Sequence, residues 1–232
     1  MFVQGVRTML GIIGVRTVLI GVGLLFVATY FLGSVAADIP VVGSWIVDHR
    51  IKVSIGIVSA VLTADGLRCW TFLLRHLPYG WKAAQAARLD GEWKGIQTSN
   101  WPLVSQRQNL QEPVEDSIRP YLLETDVSAT IKVRIFGTFM QLRSANGYQK
   151  SDTVSSDIHD EGPDKGIRLA YIFHATVPKP KPTDEASFFG AANLTLTRQA
   201  NKKLVLEGPV FTNRDWQNGR NTAGLIRLEK VS

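Results

Sequence analysis

The chain has 232 residues, and its 26 lysines and arginines against 20 aspartates and glutamates give a net charge of +6. This excess is too small for a polycationic tail, so it permits an anionic ligand without demanding a nucleic acid. The single cysteine, Cys69, excludes an intrachain disulfide and agrees with a reducing compartment for the folded part of the chain.

Two apolar stretches open the chain. Residues 17–37 contain no charged side chain and lie between Arg16 and Asp38. As a helix rising about 1.5 Å per residue, this stretch covers the roughly 30 Å hydrocarbon core of a bilayer. Residues 51–74 form a second stretch of similar length. We therefore predict an N-terminal membrane region, residues 1–78, with two transmembrane helices at about 17–37 and 51–74.

A cleaved signal peptide is the alternative interpretation of the first stretch, because residues 33–37 (GSVAA) resemble a cleavage site. The length of this stretch and the second span close behind it favour a membrane hairpin instead. Arg7 and Arg16 precede the first span, and Arg75 and Lys82 follow the second. Because basic residues stay on the cytoplasmic side, both termini and the rest of the chain are expected in the cytoplasm.

The second span carries a ladder of small residues and two charges. Gly56, Ala60 and Ala64 recur every four residues, a spacing that lets two helices approach closely. Asp65 and Arg68 are one turn apart and can pair, and charges at this depth normally face protein or water. Two interpretations stay open: a self-paired helix in a simple anchor, or an assembly face whose polar residues meet when several copies gather.

From residue 89 onward the pattern changes to an alternation of period two, with turn residues between the runs. After a linker at 79–88, this predicts a domain over 89–232. The Asn146-Gly147 pair predicts a two-residue hairpin turn between its third and fourth strands. The eight predicted strands lie at 90–98, 125–136, 138–145, 148–159, 166–177, 187–199, 203–212 and 222–230.

The fold class predicted is all-β, an eight-stranded antiparallel up-and-down β-barrel of lipocalin-like form. Closure buries one face of every strand and removes exposed edges, which an open sheet without covering helices would leave. A sandwich is the second choice. Outward residues such as Lys132 and Arg134 are unlike a lipid-facing band, so the barrel is expected in water. A barrel of this size holds packed side chains or one small ligand.

The order of the connections predicts where a ligand would bind. Those after strands one, three, five and seven all lie at the end away from the membrane, and the first and last join strands that become neighbours on closure. Indoles stack on bases and guanidinium groups grip phosphate, so this rim suits a nucleotide-like anion. The predicted ligand-binding residues are Thr98, Ser99, Asn100, Trp101, Thr212, Asn213, Arg214, Trp216 and Thr222.

Three tryptophan and arginine side chains have alternative interpretations. Trp101 can plug the barrel mouth instead of stacking on a ligand. Arg214 can form a salt bridge within its loop, with Asp215. Trp93, in the Gly-x-Trp of the first strand, is expected to pack in the core and close the opposite end of the barrel.

Catalysis has little support in the sequence. The four histidines are scattered, and there is no Gly-x-Ser-x-Gly, no Walker loop and no spaced Cys/His set. We therefore expect a protein that is not an enzyme, with no catalytic residues, no cofactor and no metal site.

Three segments, in this order, carry a family resemblance: the N-terminal hairpin, residues 89–95 (LDGEWKG) at the start of the barrel, and residues 208–214 (GPVFTNR) with 222–226 (TAGLI) at its end. With them the chain resembles the two-transmembrane, β-strand-rich effectors of cyclic-oligonucleotide-based anti-phage signalling (CBASS). The resemblance implies a receptor for a cyclic dinucleotide made by a cognate nucleotidyltransferase, with no DNA or RNA partner. It also implies that ligand binding promotes self-association of the helices, which then disrupt the lipid of the bacterial inner membrane and stop the infected cell.

A membrane-anchored, lipocalin-like carrier of a lipid or other apolar ligand is the alternative function. It needs a hollow, apolar barrel interior, to which the inward rows offer Phe139 or Phe173 with Leu169. A structural envelope protein without a small ligand is a third hypothesis, and no specific feature supports it.

Overall fold

The computed structural model describes residues 27, 52, 56, 59, 69–107, 122–134, 137–162, 166–180, 184–219 and 221–231. The predicted spans 17–37 and 51–74 lie outside the described residues, apart from the isolated positions and the segment 69–74. Four of the five predicted assembly residues, Ala60, Ala64, Asp65 and Arg68, also lie outside them, whereas Gly56 has helical backbone. Within the part of the chain that is described, no helix combines the length and apolar character needed to cross a bilayer.

Eight strands and three short α-helices make up the folded region. The helices are α1 (Cys69–Leu74), α2 (Lys82–Arg88) and α3 (Trp101–Arg107), and a 3₁₀ turn spans Trp216–Asn218. The strands are β1 (Gly91–Ser99), β2 (Leu123–Arg134), β3 (Gly137–Ser144), β4 (Lys150–Asp160), β5 (Ile167–Thr176), β6 (Ser187–Arg198), β7 (Leu204–Thr212) and β8 (Ala223–Lys230).

The strands form a closed antiparallel barrel in the order β1 to β8, and β8 pairs with β1 to complete the ring. The predicted eight-stranded, up-and-down barrel is therefore confirmed, and the sandwich is excluded. Each predicted strand boundary falls within two residues of the observed one. Closure succeeds because the strands, β2, β3 and β5 most regularly, alternate between buried and exposed positions and so supply a row of side chains to the interior.

Two glycines allow the first and last strands to meet. At Gly95 on β1, an added Cβ would strike the backbone carbonyl oxygen of Arg227 on β8. At Gly224 on β8, it would strike the carbonyl oxygen of Thr98 on β1. The seam that closes the barrel therefore depends on residues without side chains, since any larger residue would force the two backbones apart.

The predicted two-residue turn at Asn146-Gly147 is wrong in length. The last paired residues are Arg143 and Lys150, and the Ser144 amide donates to the Gln149 carbonyl at 3.0 Å. The turn is longer because the Asn146 side chain accepts a hydrogen bond from the Tyr148 amide at 3.0 Å, while Gly147 takes a left-handed φ of +69°. Asn and Gly keep their expected turn chemistry, but in a wider loop.

The end of the barrel nearer the N-terminus is filled. Trp93 is fully buried, and its Nε1 donates to the Leu89 carbonyl at 2.8 Å, so its predicted role in the core is confirmed. Ala86 and Ala87 of α2 pack on the same cluster. The Lys230 ammonium, 5.6 Å from the Trp93 ring, donates to the carbonyls of Arg88 and Asp90. α2 and the indole therefore close this end of the barrel.

Of the two aromatic residues considered for the interior, only Phe173 points inward. Phe173 and Leu169 are buried in the core, whereas Phe139 is 54% exposed on the outer wall. The neighbours of Phe139 on β3, Thr138 and Met140, take the inward positions instead. The strand alternates as predicted, but its polar threonine is on the buried face.

Candidate functional site

The first and last rim connections meet at the open end of the barrel. The Asn100 amide donates to the Ala223 carbonyl at 2.9 Å, and the Asn100 side-chain oxygen accepts from the Ala223 amide at 2.8 Å. The hydroxyls of Thr212 and Thr222 lie 2.6 Å apart. These contacts tie β1, β7 and β8 together at the mouth, where the up-and-down order predicts that the two connections meet.

A cavity of about 550 Å³ opens at this mouth. Its lining includes five of the nine predicted ligand-binding residues: Ser99, Trp101, Thr212, Arg214 and Thr222. Its apolar lining comes from Trp101, Leu123, Val127, Leu142 and Phe188. Cavities of this size accommodate small ligands, although this one is lined mainly by polar side chains, whereas most such pockets are mainly apolar.

The other four predicted residues lie beside the cavity and not in its wall. Thr98 exchanges hydrogen bonds with the backbone of Leu225. The side chains of Asn100 and Asn213 satisfy backbone amides, the latter at Phe189 with a distance of 2.7 Å. Trp216 is 59% exposed in the last loop. These four residues therefore shape the rim or face solvent.

Arg214 is paired with Asp184, and not with Asp215 as the alternative interpretation proposed. Its Nε donates to Asp184 Oδ1 at 2.6 Å, and a second guanidinium nitrogen donates to Oδ2, so the pair is bidentate. Both side chains are largely buried, at 14% and 5% exposure respectively. The Asp215 carboxylate accepts from the Asn218 amide nitrogen at 2.6 Å, which holds it within its own turn.

Asp184 receives further support from Tyr148, whose hydroxyl donates to Oδ2 at 2.5 Å. Burial by itself raises the pKa of this carboxyl, but the hydrogen bonds from Arg214 and Tyr148 and the charge of Arg214 outweigh that effect. The net pKa of Asp184 lies below its ordinary value, so the carboxylate is ionised at neutral pH.

Two aromatic rings flank the same guanidinium. The Arg214 Cζ lies 5.3 Å from the Trp101 ring centroid and 5.1 Å from that of Phe188. Cation–π contacts of this kind hold a guanidinium in place while leaving part of an aromatic face available. Trp101 is half-buried, so it contributes both to closing the mouth and to the cavity wall.

Among the lining residues that the structure describes, Arg214 and Asp184 are the two that are charged at neutral pH. Because they neutralise each other, the free pocket carries no net charge from this set. Arg220, a second arginine in the connection between β7 and β8, lies outside the described residues. In the described ranges, no group of three or more His, Cys, Asp or Glu side chains could hold a metal ion.

Sequence reasoning did not select Asp184, Tyr148 and Phe188. The connection that contains Asp184 was expected at this rim, since it follows strand five, whereas Tyr148 was predicted as the first residue of strand four, directly after the Asn146-Gly147 turn. The pairing itself has no local signal, because Arg214 and Asp184 are thirty positions apart in the chain. Phe188 and Phe189 are adjacent on β6, and only strand register decides which of them faces inward.

Together these features define a closed antiparallel barrel that is filled at one end and has a mostly neutral, aromatic-walled pocket at the other. No protein-family model matches the chain. Over 67 residues it is 39% identical to CD-NTase-associated protein 15 of Escherichia albertii. This match covers 29% of the present chain and 34% of the relative, so the chain spans about a third of the relative's length.

Proposed function

We propose that this protein is a CBASS antiviral effector whose barrel binds a cyclic dinucleotide. The observation that carries the proposal is the mouth pocket, where Arg214 lies between Trp101 and Phe188. A guanidinium held beside aromatic faces is the combination that grips a phosphate and stacks a base. The name of the Escherichia albertii relative associates that protein with a CD-NTase, and we extend the association to this chain.

Binding of an anion in this pocket requires Arg214 to change partners. Its guanidinium already makes two hydrogen bonds to Asp184. A ligand phosphate also presents two oxygens side by side, so it can replace the carboxylate and accept the same two parallel hydrogen bonds from the guanidinium. Asp184 would then turn away, and the connection that holds it, between β5 and β6, would move with it. The pocket thus exchanges an internal anion for an external one.

The proposed output is at the membrane. The two predicted N-terminal helices anchor the chain in the bacterial inner membrane, with both termini and the barrel in the cytoplasm. A cognate nucleotidyltransferase supplies the ligand, and binding shifts the chain toward an oligomer to the extent that the ligand prefers that state. The gathered helices, with Gly56 and Asp65 at their contacts, then disrupt the membrane and cause abortive infection. The protein itself performs no catalysis and uses no cofactor, metal, DNA or RNA.

The test is cyclic dinucleotide binding by the full chain in detergent, measured by calorimetry for wild type and Arg214→Ala. Loss of the charge-assisted hydrogen bonds should weaken binding roughly tenfold to a hundredfold. Arg227→Ala is the matched control, because Arg227 also pairs with a carboxylate, Glu207, but on the outer wall. Unchanged affinity in Arg214→Ala would contradict the proposed binding site. Absence of binding of any cyclic dinucleotide to the wild type would contradict the proposed function.

Arg214→Ala also leaves the Asp184 carboxylate buried without its partner, which can destabilise the barrel. The double variant Asp184→Asn with Arg214→Gln removes both charges and keeps two side chains that can hydrogen-bond each other. This variant should unfold close to the wild-type temperature and still bind weakly. Normal binding by the well-folded double variant would contradict the proposed role of Arg214.

The described interior gives the lipid-carrier alternative little support. Below the mouth pocket, side chains such as Tyr171, Leu194 and Leu206 fill the barrel and are buried. An acyl chain needs a deep apolar tunnel, whereas the mouth pocket is bounded by a packed floor. A search for co-purifying lipid by mass spectrometry distinguishes the two functions.

A further inference from the structure

Half of the outer barrel wall carries a continuous band of exposed apolar side chains. Strand register places Ile172, Ala191, Phe211 and Ala223 side by side across β5, β6, β7 and β8. Phe189 lies between this row and the rim of the barrel, and Leu225 lies on the side of the row away from the rim. Val154, at the bulge of β4, extends the row beyond Ile172. The apolar band is thus Val154, Ile172, Phe189, Ala191, Phe211 and Leu225, all of them exposed.

The remaining outer wall is mixed, since it exposes the apolar Ile96 and Phe139 together with charged side chains. Lys132, Arg134 and Arg143 occupy exposed positions on β2 and β3. Directly below the apolar band, Arg168 of β5 pairs with Glu161, and Glu207 of β7 pairs with Arg227. A large apolar surface bordered by charges is typical of a protein contact, because water solvates it poorly.

The size of the apolar band suggests a contact of moderate strength. An aromatic side chain presents about 200 Å², so the two half-exposed phenylalanines offer roughly 200 Å² together. The exposed aliphatic side chains bring the total to roughly 400 Å². A stable interface buries about 800 Å² on each partner, so the band supplies about half and the polar rows beside it must supply the rest.

The arrangement of these residues about β6 fits a second copy of the same chain. A two-fold axis through Ala191, lying in the plane of contact, exchanges the two sides of β6. It brings β5 of one copy toward β7 of the other, so that Ile172 approaches Phe211. The same operation brings Arg168 to the side of Glu207, since both are paired in register with Thr195 on β6. The charges that border the apolar band are therefore self-complementary, because Arg168 of each copy faces Glu207 of the other.

We infer that the apolar band is the surface through which two barrels pack side by side, with Ala191 at the centre of the contact. The parallel orientation rests on the proposed function, in which all copies stand on one membrane. Phe211 and Phe189 of the band adjoin Thr212 and Phe188, whose side chains line the mouth pocket on the opposite face of the same strands. A ligand in the pocket therefore contacts the inner side of the two strands that form the contact.

Cysteine cross-linking in native membranes tests the inference. In a Cys69→Ser background, which removes the single native cysteine, Ala191→Cys should form a disulfide-linked dimer on mild oxidation. Ser128→Cys is the matched control, because it is exposed on β2, four strands away on the opposite wall. It should stay monomeric. Equal cross-linking at both sites, none at Ala191→Cys with or without cyclic dinucleotide, or a cross-link from Ala191→Cys to a different protein would overturn the inference.

A second pair of variants tests the apolar band without a cysteine. Phe211→Glu introduces an unpaired carboxylate at the contact and should lower the dimer fraction roughly tenfold. Phe139→Glu makes the same change at 54% exposure, close to the 55% of Phe211, but on β3 across the barrel, and should leave the dimer intact. Ligand binding is measured on the same samples. Dimers that do not bind cyclic dinucleotide would contradict only the proposed function. Binding of cyclic dinucleotide without dimers would contradict only this inference.

Discussion

Asp184→Asn separates the two roles that the structure gives to the carboxylate. The substitution keeps the shape of the side chain and removes its charge. In the wild type this side chain is 5% exposed and accepts hydrogen bonds from Arg214, from Tyr148 and, at 2.9 Å, from the Glu185 amide. The asparagine oxygen can keep part of this set, but its NH₂ group faces donors. Arg214 keeps its contacts with Trp101 and Phe188.

The magnitudes follow from what the pair contributes. A hydrogen bond to a charged group is worth about 1.5–3 kcal/mol, so Asp184→Asn should lower the free energy of unfolding by about that amount. An anionic ligand must replace the same carboxylate in the wild type and does not face that competition in the variant. If removing this competition makes the binding free energy about 1.4–2.8 kcal/mol more favourable, the affinity for the ligand rises roughly tenfold to hundredfold. The variant should therefore be less stable and bind more tightly.

The assay is equilibrium binding of a radiolabelled cyclic dinucleotide to the full chain in detergent, with thermal unfolding of the same samples. Asp152→Asn is the matched control, since Asp152 accepts a hydrogen bond from Gln141 on the exposed outer wall. Unchanged or weaker binding by Asp184→Asn would refute the idea that Asp184 occupies the position of a ligand anion. A gain in affinity by Asp152→Asn would show that any lost negative charge suffices.

The same carboxylate makes the barrel sensitive to acid. Its folded pKa lies below the ordinary value, so the unfolded chain binds more protons as the pH falls. The stability it contributes is complete above the ordinary pKa of about 4 and is lost as the pH falls through the folded pKa. Unfolding temperatures measured between pH 6 and about pH 2.5 should therefore fall less in Asp184→Asn than in the wild type.

Two further predictions concern other parts of the chain. Burial, with the nearby charges of Arg75 and Arg88, lowers the pKa of Lys230 to about 8 from its ordinary value of 10.5. Between these two values the unfolded chain binds more protons than the folded one, so stability rises with pH. Lys230→Met should abolish that rise in unfolding temperature, and an unchanged slope would contradict it. Asp65→Leu, in the second predicted span, should leave cyclic dinucleotide binding unchanged but abolish toxicity or oligomer formation by the helices, because the polar assembly contact is lost. Full killing by this variant in an infection assay would exclude that contact.

Local patterns in the sequence were sufficient for most of the fold. Alternation of period two and turn residues such as Gly147 are properties of neighbouring positions, so strand boundaries could be predicted within two residues. The alternation of up and down strands then determines which connections share a rim, and this brought Trp101 and Arg214 to one pocket. Burial of Trp93 followed from its place on the first strand.

Only the tertiary structure decided how the side chains meet. Asp184 reaches Arg214 from a different connection, and no local pattern encodes a contact across thirty positions. Phe139 and Phe189 face outward because long-range register, and not residue type, assigns each side of a strand. The apolar band likewise exists only where five strands, β4 to β8, align their outer rows. Patterns among neighbouring residues determine where strands form, whereas strand pairing across the barrel determines which side chains contact each other.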